Sequence, residues 1–346
     1  MASPDNPAMP GQGSTENPTL PDQGFPSTQY APFRDAHCEG NRYAIVNHCS
    51  LYGATYINDV VDELLRKAST ESTRWIPVRS AEEIPEGQQA ALQWREYESL
   101  DWKPAFEGSG CLVDGYCNRK GLIRKAHMAK LVNHYVSKRP NSCLRNYFPK
   151  TVHVAIDARR DWFDYSIVDV IDAIEEHEKD GWMWILKPSR LDREDHHVVT
   201  QASQAESVLR EGASLVEWVC QRYIQNPMLV QGRKFHLRVN VLAVGALQVF
   251  VHQPSVLVST AALPYDPSPE AMGNKYIHIS NAIYAKQYHG SSFDEAQFKF
   301  PLSRLQQEVG PGDYGEFARE EDGETVFDTD ALMKQISTVV GELFEV

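Results

Sequence analysis

The sequence has no long apolar run and no N-terminal leader pattern. None of its hydrophobic stretches approaches the roughly 18 residues that a membrane-spanning helix needs. The N-terminus has neither a basic start nor an apolar core, so it does not resemble a secretory signal. With 42% hydrophobic and 23% charged residues, the composition is typical of a soluble globular protein, and we expect a cytoplasmic location without membrane attachment.

Cysteines are few, and none is spaced as a metal-binding or redox pair. The six lie at positions 38, 49, 111, 117, 143 and 220, and no Cys-x-x-Cys pair occurs. Free thiols are therefore a better interpretation than disulfides or a zinc site. The adjacent His196 and His197 do not indicate a metal site either, because neighbouring residues of a strand point to opposite faces.

Acidic residues are missing from one long window of an otherwise acidic chain. The net charge of −13 argues against a general nucleic-acid binder. Between Gly115 and Ile156 there is no Asp or Glu, and the window contains nine basic residues: Arg119, Lys120, Arg124, Lys125, Lys130, Lys138, Arg139, Arg145 and Lys150. This pattern indicates a local site for an anionic ligand or an acidic polypeptide, with a solvated helix face as the alternative.

The chain divides into three parts by composition and periodicity. Residues 1–32 are rich in Pro, Ser, Gly, Asn and Gln, which predicts a disordered tail. A strand at 42–47, a helix that begins near Ile57 and a short strand at 75–78 predict a small N-terminal α/β domain over residues 33–115. The remainder, residues 116–346, forms the larger domain.

Alternating elements are predicted along the larger domain. In chain order they are a helix from Leu122 to Val136 with Arg124 and Lys125 in its first turn, a strand at 152–156, a helix at 166–179, a strand that ends at Lys187, a helix with a Ser203–Glu206 capping box, a strand at 215–224, a hairpin of 234–244 with 247–252 around Gly245, a strand or turn at 276–281, and a helix from Asp330.

Cations recur beside the apolar runs of these strands. Residues 234–241 alternate, with Lys234, His236 and Arg238 on one face and apolar side chains on the other. Polar groups on one face of a sheet are costly to bury unless an anion lies there. Because Lys187 and Arg222 also end apolar strands, we predict that these strands surround an anionic ligand.

Five ordered motifs make the sequence similar to a known family. They are Arg124-Lys125 after a Leu-Ile pair, Trp184-Ile185-Leu186-Lys187-Pro188, Gln221-Arg222-Tyr223-Ile224, Arg233-Lys234-Phe235-x-x-Arg238 and His278-Ile279-Ser280-Asn281. Together they resemble the tubulin tyrosine ligase-like family over Cys111–Val346. The resemblance implies an α/β (α+β) protein with the mixed and antiparallel sheets of an ATP-grasp fold.

The resemblance also implies a nucleotide site. Lys125 is expected to reach the terminal phosphate, Lys187 the α- and β-phosphates, and Lys234 the nucleotide. The adenine hinge is expected to consist of four consecutive residues, namely Gln221, Arg222, Tyr223 and Ile224.

The remaining implied roles concern the reaction. Arg238 is expected to stabilise an acyl phosphate or an incoming carboxylate, and Lys125 shares the catalytic role. Asn281 is expected to help hold a free amino acid. The implied activity is the ATP-dependent joining of that amino acid to a carboxylate of tubulin or another acidic protein tail. The basic window would suit binding of such a tail, and an association with microtubules is also implied.

Two departures from the family pattern leave an alternative open. The segment after Lys187, residues 189–195, has no glycine and three acidic residues, where the family usually has a glycine-rich phosphate loop. The family's Mg²⁺ ligands are expected beyond the last residue, so we predict no metal ligand in this sequence and a C-terminally incomplete domain. The alternative to a ligase is an inactive or truncated relative that binds nucleotide or tubulin.

Overall fold

The computed structural model describes residues 40–48, 56–156, 163–189, 196–212, 216–245, 247–310 and 313–346. The tail predicted for residues 1–32 and the acidic part of the segment after Lys187 lie outside these residues. The chain separates into two compact units, Met1–Ala91 and Leu92–Val346. The domain limits of 33–115 and 116–346 remain predictions.

The first unit contains a parallel strand pair and one helix. Its elements are β1 (Gly40–Asn47), α1 (Tyr56–Lys67) and β2 (Thr73–Val78). The two strands pair in parallel, and their buried side chains Tyr43, Ile45 and Val78 form a small core. The strand–helix–strand order predicted for this region is confirmed.

The second unit contains the remaining strands and helices. In chain order from the unit boundary they are β3 (Ala90–Arg95), α2 (Lys103–Phe106), β4 (Leu112–Val113), α3 (Lys120–Ile123), α4 (Lys125–Lys138), α5 (Leu144–Tyr147), β5 (Thr151–Ala155), α6 (Phe163–Glu176), β6 (Trp184–Pro188), β7 (His197–Val199), α7 (Ala202–Glu211), β8 (Glu217–Arg222), β9 (Leu229–Val230), β10 (Arg233–Arg238), β11 (Val241–Val244), β12 (Gln248–Val251), β13 (Leu257–Thr260), α8 (Lys275–His278), α9 (Ala282–His289), α10 (Glu295–Phe298), β14 (Lys299–Pro301), α11 (Leu305–Glu308), β15 (Ala318–Glu321), β16 (Glu324–Phe327) and α12 (Thr329–Glu345).

A four-stranded antiparallel sheet in the order β5-β8-β6-β7 is covered on both faces. One face packs against α6 and α7, and Trp184, Leu186 and Trp218 lie fully inside this core. The opposite face meets α4 through Ala126, Ala129 and Val219. Because side chains alternate along β6, Lys187 projects from the face that α4 covers.

A second sheet has the order β14-β13-β10-β9. Its apolar face packs with α11 and α12 around Val258, Phe300 and Leu332. Phe235 and Leu237 of β10 join this core, which confirms the predicted alternation and leaves Lys234, His236 and Arg238 on the other face. The mixed α/β fold with antiparallel sheets is as predicted.

Two predicted helix starts are wrong. Arg124 has an extended backbone, with ψ of 116°, and therefore interrupts the helix expected from Leu122; α4 begins at Lys125. The capping box of α7 is formed by Gln201 and Gln204, because the helix already begins at Ala202 and Ser203 lies inside its first turn.

Two predicted strand assignments also change. Residues 234–244 are not one strand, because β10 pairs with β13 whereas β11 pairs with β12 in a separate hairpin around Gly245. Residues 276–281 do not form a strand, because α8 ends at His278 and Asn281 caps α9. No helix among the described residues combines the length and apolarity needed to cross a membrane.

Candidate functional site

Lys187 is held on the central sheet by a side chain of the neighbouring strand. Its ammonium nitrogen donates a 2.8 Å hydrogen bond to Oε1 of Gln221, and Nε2 of Gln221 donates to Oγ1 of Thr151 at 2.9 Å. Thr151 is buried and its hydroxyl donates to the Pro149 carbonyl. This chain of hydrogen bonds fixes the position of the Lys187 ammonium across β5, β8 and β6.

Ser189 brings the first residue of α4 to the same end of the sheet. Its buried hydroxyl accepts a hydrogen bond from the backbone N–H of Ala126 at 3.1 Å, and its own N–H donates to the Glu217 carbonyl. Ser189 therefore satisfies one of the free N–H groups at the start of α4. Lys125 precedes Ala126, and its charge acts on Lys187.

Lys234 approaches from the second sheet. Its ammonium lies 3.9 Å from the centroid of the Tyr223 ring, a distance at which cation and ring attract each other. Tyr223 is buried immediately after β8, and its N–H donates to the Met183 carbonyl. The end of β8 and the face of β10 that carries Lys234 thus meet at this ring.

Lys125, Lys187 and Lys234 form a cationic cluster, in which the charge of Lys125 acts on Lys187 and the charge of Lys187 acts on Lys234. Burial, and next the charge of Lys125, lower the pKa of Lys187 to about 8, while burial and the charge of Lys187 lower the pKa of Lys234 to about 8. Within the described residues, neither the Lys187 nor the Lys234 ammonium forms a salt bridge with a carboxylate. Mutually repelling, partly desolvated ammonium groups fit a polyanion such as a triphosphate.

The residues around Tyr223 form a buried polar network. The Tyr223 hydroxyl shares a 2.8 Å hydrogen bond with Nδ1 of His278, and Nε2 of His278 lies 3.0 Å from the Ala271 carbonyl. Tyr265 packs edge-on against the His278 ring and donates its hydroxyl to the Gln225 carbonyl. Burial raises the pKa of Tyr223 and lowers that of His278.

The other two residues of the expected hinge differ in their contacts. The Arg222 guanidinium lies 3.7 Å from the Trp182 ring centroid, which places it on the outer surface. Ile224 exposes its apolar side chain, and its N–H makes no backbone hydrogen bond within the described residues. Gln221 contacts Lys187 as described above, and Tyr223 contacts Lys234.

Arg238 lies at the far end of β10 from the lysine cluster. Arg238 is exposed. Burial, and next the charge of Arg238, lower the pKa of His236. Nδ1 of His236 lies 2.8 Å from Oγ of Ser280, and the Ser280 carbonyl accepts from Ser259. Asn281 follows, and its side-chain oxygen caps α9 by accepting from the N–H of Ile283.

Much of the basic window is used for internal contacts. Two of its residues form salt bridges, Arg139 with Glu345 and Lys150 with Glu176. The Arg119 guanidinium stacks on the Tyr97 ring, and Arg145 donates a hydrogen bond to the Val136 carbonyl. These four residues therefore make contacts within the protein. Lys120, Lys130 and Lys138 remain exposed on the surface. A ligand surface in the rest of the window remains a prediction.

A cavity of about 280 Å³ adjoins this region. It is lined by Ile185 and Val198 of the central sheet and by Lys275, His278 and Ile279 of α8 and the residue that follows it. His278 therefore contributes both to this cavity and to the network that contacts Lys234.

The described residues do not supply a site that fits magnesium. Within the part of the chain that the structure describes, no three or more His, Cys, Asp or Glu side chains come together to hold a metal ion. Cys111, Cys117, Cys143 and Cys220 are free thiols.

The model of the tubulin-tyrosine ligase family matches residues 122–306, which is more than half of the chain. The chain belongs to this family. The match includes the cationic cluster and ends after α9 and β14, so it covers both sheets that contribute lysines.

Two curated family relatives come from yeasts. A probable tubulin–tyrosine ligase of Schizosaccharomyces pombe is 27% identical over 231 residues, which cover 56% of this chain and 57% of the relative. The probable tubulin–tyrosine ligase PBY1 of Saccharomyces cerevisiae is 26% identical over 225 residues, which cover 53% of this chain and 29% of the relative. The chain thus spans less than two thirds of either relative.

A solved relative shows the family fold. The C-terminal domain of K. lactis Pby1, described as an ATP-grasp enzyme that interacts with the mRNA decapping enzyme Dcp2, superimposes with a TM-score of 0.57. It is 21% identical, and the match covers 88% of this chain and 75% of that chain. The ATP-grasp fold predicted from the sequence is confirmed.

Three residues of the site had no role in the sequence prediction. Thr151 and Ser189 support Lys187 and α4, and no sequence signal marks them because Ser189 and Ala126 are 63 residues apart. His278 belongs to a motif of the family resemblance, but only its tertiary contact with Tyr223 indicates what it does.

Proposed function

We propose that this protein is an ATP-dependent ligase that joins an amino acid to a carboxylate of a protein. The observation that carries the proposal is the cluster of Lys125, Lys187 and Lys234. In this cluster the partly buried Lys187 and Lys234 ammonium groups have pKa values of about 8 and no carboxylate partner among the described residues. Membership of a ligase family supports the same conclusion. Cations that converge on a phosphoryl group stabilise the charge that develops during its transfer.

Nucleotide binding is assigned to the end of the site near Tyr223. Lys187 and Lys234 approach the phosphates from the two sheets, and Lys125 approaches from the start of α4. The exposed Ile224 side chain and its N–H are available to cover and read the adenine. Gln221 keeps Lys187 in position through its 2.8 Å hydrogen bond.

The reacting carboxylate is assigned to the end of β10 near Arg238. Lys234 and Arg238 lie on one strand face four residues apart, a separation of about 13 Å along a strand. This arrangement lets one strand contact both the nucleotide and the acceptor. ATP would phosphorylate the carboxylate, and the amine of a free amino acid, held with help from Asn281, would displace the phosphate to form the amide.

For the acceptor we propose an acidic protein tail, as on tubulin. The exposed Lys120, Lys130 and Lys138 can attract such a tail over a surface of an otherwise acidic protein. A cytoplasmic protein that associates with microtubules is consistent with this choice. Binding to microtubules should weaken as the salt concentration rises.

The first experiment is ATP binding measured by titration calorimetry on Lys187→Met and a matched control. We expect Lys187→Met to weaken binding by at least about tenfold, because it removes a buried charge–phosphate hydrogen bond. Lys103→Met is the control, since this lysine belongs to the same unit but its side chain is 75% exposed. It should bind ATP like the unmodified protein.

Incorporation of labelled tyrosine, glutamate or glycine into purified tubulin then tests the chemistry. Incorporation that depends on ATP and on Lys187 supports the ligase. ATP binding without incorporation into tubulin or another acidic protein supports the alternative of a nucleotide-binding relative. If the folded protein does not bind ATP, the proposed site is wrong.

A further inference from the structure

A continuous set of contacts leads from the backbone of residue 271 to the ammonium of Lys234. The Ala271 carbonyl lies 3.0 Å from Nε2 of His278, and Nδ1 of His278 lies 2.8 Å from the Tyr223 hydroxyl. At the other end of this series of contacts, the centroid of the Tyr223 ring lies 3.9 Å from the Lys234 nitrogen. His278 and Tyr223 are 7% and 4% exposed, so water does not compete for these hydrogen bonds.

The direction of each hydrogen bond follows from the acceptor at the Ala271 end. A carbonyl oxygen can only accept, so Nε2 of His278 carries a hydrogen. Burial lowers the pKa of His278, and the charge of Lys234 acts in the same direction. The hydrogen bond to the Ala271 carbonyl and the charge of Asp266 act in the opposite direction, but burial is the largest effect and favours the neutral ring. Nδ1 is therefore an acceptor, and the Tyr223 hydroxyl donates to it.

The hydrogen bond that the Tyr223 hydroxyl donates strengthens the attraction between the Tyr223 ring and the Lys234 ammonium. The hydrogen bond fixes the plane of the ring, and it shifts electron density onto the phenol oxygen and ring, whose face then attracts a cation more strongly. Lys234 needs this attraction because Lys187 repels its charge and burial disfavours it. Tyr265 also faces this pair, because its hydroxyl interacts with that of Tyr223 and its ring packs edge-on against His278 at 5.9 Å.

We propose that His278 is a positioning residue for nucleotide binding, which acts through Tyr223 to keep the Lys234 ammonium charged and directed at the phosphates. This inference rests on the proposed function, since it assumes a nucleotide at the lysine cluster. It assigns a role to a residue that does not itself touch the phosphates.

The test compares the affinities of ATP and adenosine for a set of variants. Tyr223→Phe keeps the ring but removes the hydroxyl, and His278→Leu removes the acceptor. We expect each to weaken ATP binding by about three- to tenfold, in line with the strength of a buried cation–ring contact. Adenosine has no phosphate for Lys234, and neither substitution changes the Ile224 side chain and N–H that are proposed to contact the adenine. Adenosine should therefore bind these variants and the unmodified protein equally.

Two further variants separate positioning from a structural defect. His278→Asn retains an acceptor near the position of Nδ1 and should recover most of the ATP affinity. In a Lys234→Met background, Tyr223→Phe should have no further effect, because the residue it supports is gone. In the single variants, the loss of ATP affinity with rising pH should also begin at lower pH, since Lys234 loses its proton more easily.

Tyr314→Phe serves as the matched control. Tyr314 is a buried tyrosine of the second sheet's core, away from the three lysines, and its hydroxyl donates to the Gln306 carbonyl. It should bind ATP normally. Equal losses of ATP and adenosine in His278→Leu, or an unchanged ATP affinity in Tyr223→Phe, would overturn the inference. If the unmodified protein binds neither ligand, the proposed nucleotide site fails and the inference fails with it.

Discussion

Lys187 is a residue whose charge destabilises the ligand-free protein but would favour the binding of an anion. Its ammonium is largely removed from water and is repelled by Lys125, and among the described residues its hydrogen-bond partner is the neutral Gln221 side chain. In the absence of an anion the folded protein therefore disfavours its charge. A bound polyphosphate would supply the missing countercharge and raise the pKa of Lys187 again.

We expect Lys187→Met to stabilise the ligand-free protein while it weakens ATP binding. The pKa of Lys187 is about 8 in the folded state and 10.5 in the unfolded state, so between these values the unfolded state binds more protons and the free energy of unfolding rises with pH. Below about pH 8 the penalty is complete, and its removal should add about 1–3 kcal/mol. Urea denaturation at about pH 7 and about pH 9.5 measures this gain, which should shrink at the higher pH.

The exposed Lys103 again provides the comparison. Lys103→Met should change the free energy of unfolding by less than about 0.5 kcal/mol at either pH. A clear loss of stability in Lys187→Met at neutral pH would contradict the description of Lys187 as an uncompensated charge.

At the scale of elements, the start of α4 depends on a residue from the central sheet. Arg124 occupies the N-cap position but makes no side-chain capping bond, and Ser189 from the end of β6 supplies a hydroxyl instead. The helix therefore begins at a fixed point beside Lys187. Because Lys125 is the first helical residue, the same contact places its charge next to the site.

We expect Ser189→Ala to cost about 1 kcal/mol of stability, the usual effect of losing a cap. It should also weaken ATP binding several-fold, because the first turn of α4 and Lys125 are released from the sheet. Thermal unfolding and calorimetry measure the two effects. Ser207→Ala, at an exposed position of α7, is the control. If Ser189→Ala has no larger effect than Ser207→Ala, Ser189 does not position α4.

At the scale of the whole molecule, α12 joins residues that are about 200 positions apart. Glu342 accepts hydrogen bonds from the Ser142 hydroxyl and from the N–H groups of Cys143 and Leu144. Leu332 and Met333 at the other end of α12 are buried in the core of the second sheet. The helix thus connects the region after α4 to that core.

Glu342→Gln should lower the free energy of unfolding by about 1–2 kcal/mol at neutral pH, because hydrogen bonds to a charged acceptor become neutral ones. These hydrogen bonds, the one from Ser142 first, lower the pKa of Glu342 from 4.5. Its stabilising contribution is therefore present above the unfolded value and is lost as the pH falls through the folded pKa. Denaturation across acidic pH should show the variant and the unmodified protein converging, and parallel curves would contradict this role.

The exposed Glu211 of α7 is the control for this change. Glu211→Gln should follow the unmodified protein at every pH, since its carboxylate has only a weak contact with Ser207.

The local sequence determined the class of fold and the identity of the cations. Period-2 alternation along residues 234–239 fixed which side chains of β10 enter the core, because only one face of this strand meets apolar neighbours. The ordered motifs indicated the family, and Lys187 and Tyr223 lie close to Lys234 in the structure. The roles of these residues and of Arg238 and Asn281 in a reaction remain proposals.

Only the tertiary structure decided which basic residues are available and what holds the site in place. The sequence predicted that Arg139 and Lys150 belong to a ligand-binding surface. In the structure Arg139 forms a salt bridge with Glu345 and Lys150 forms one with Glu176. The same holds for Ser189 and His278, whose partners are separated from them by 63 and 55 residues. A side chain's charge and period are local properties that a sequence displays, whereas its partner is set by how strands and helices pack.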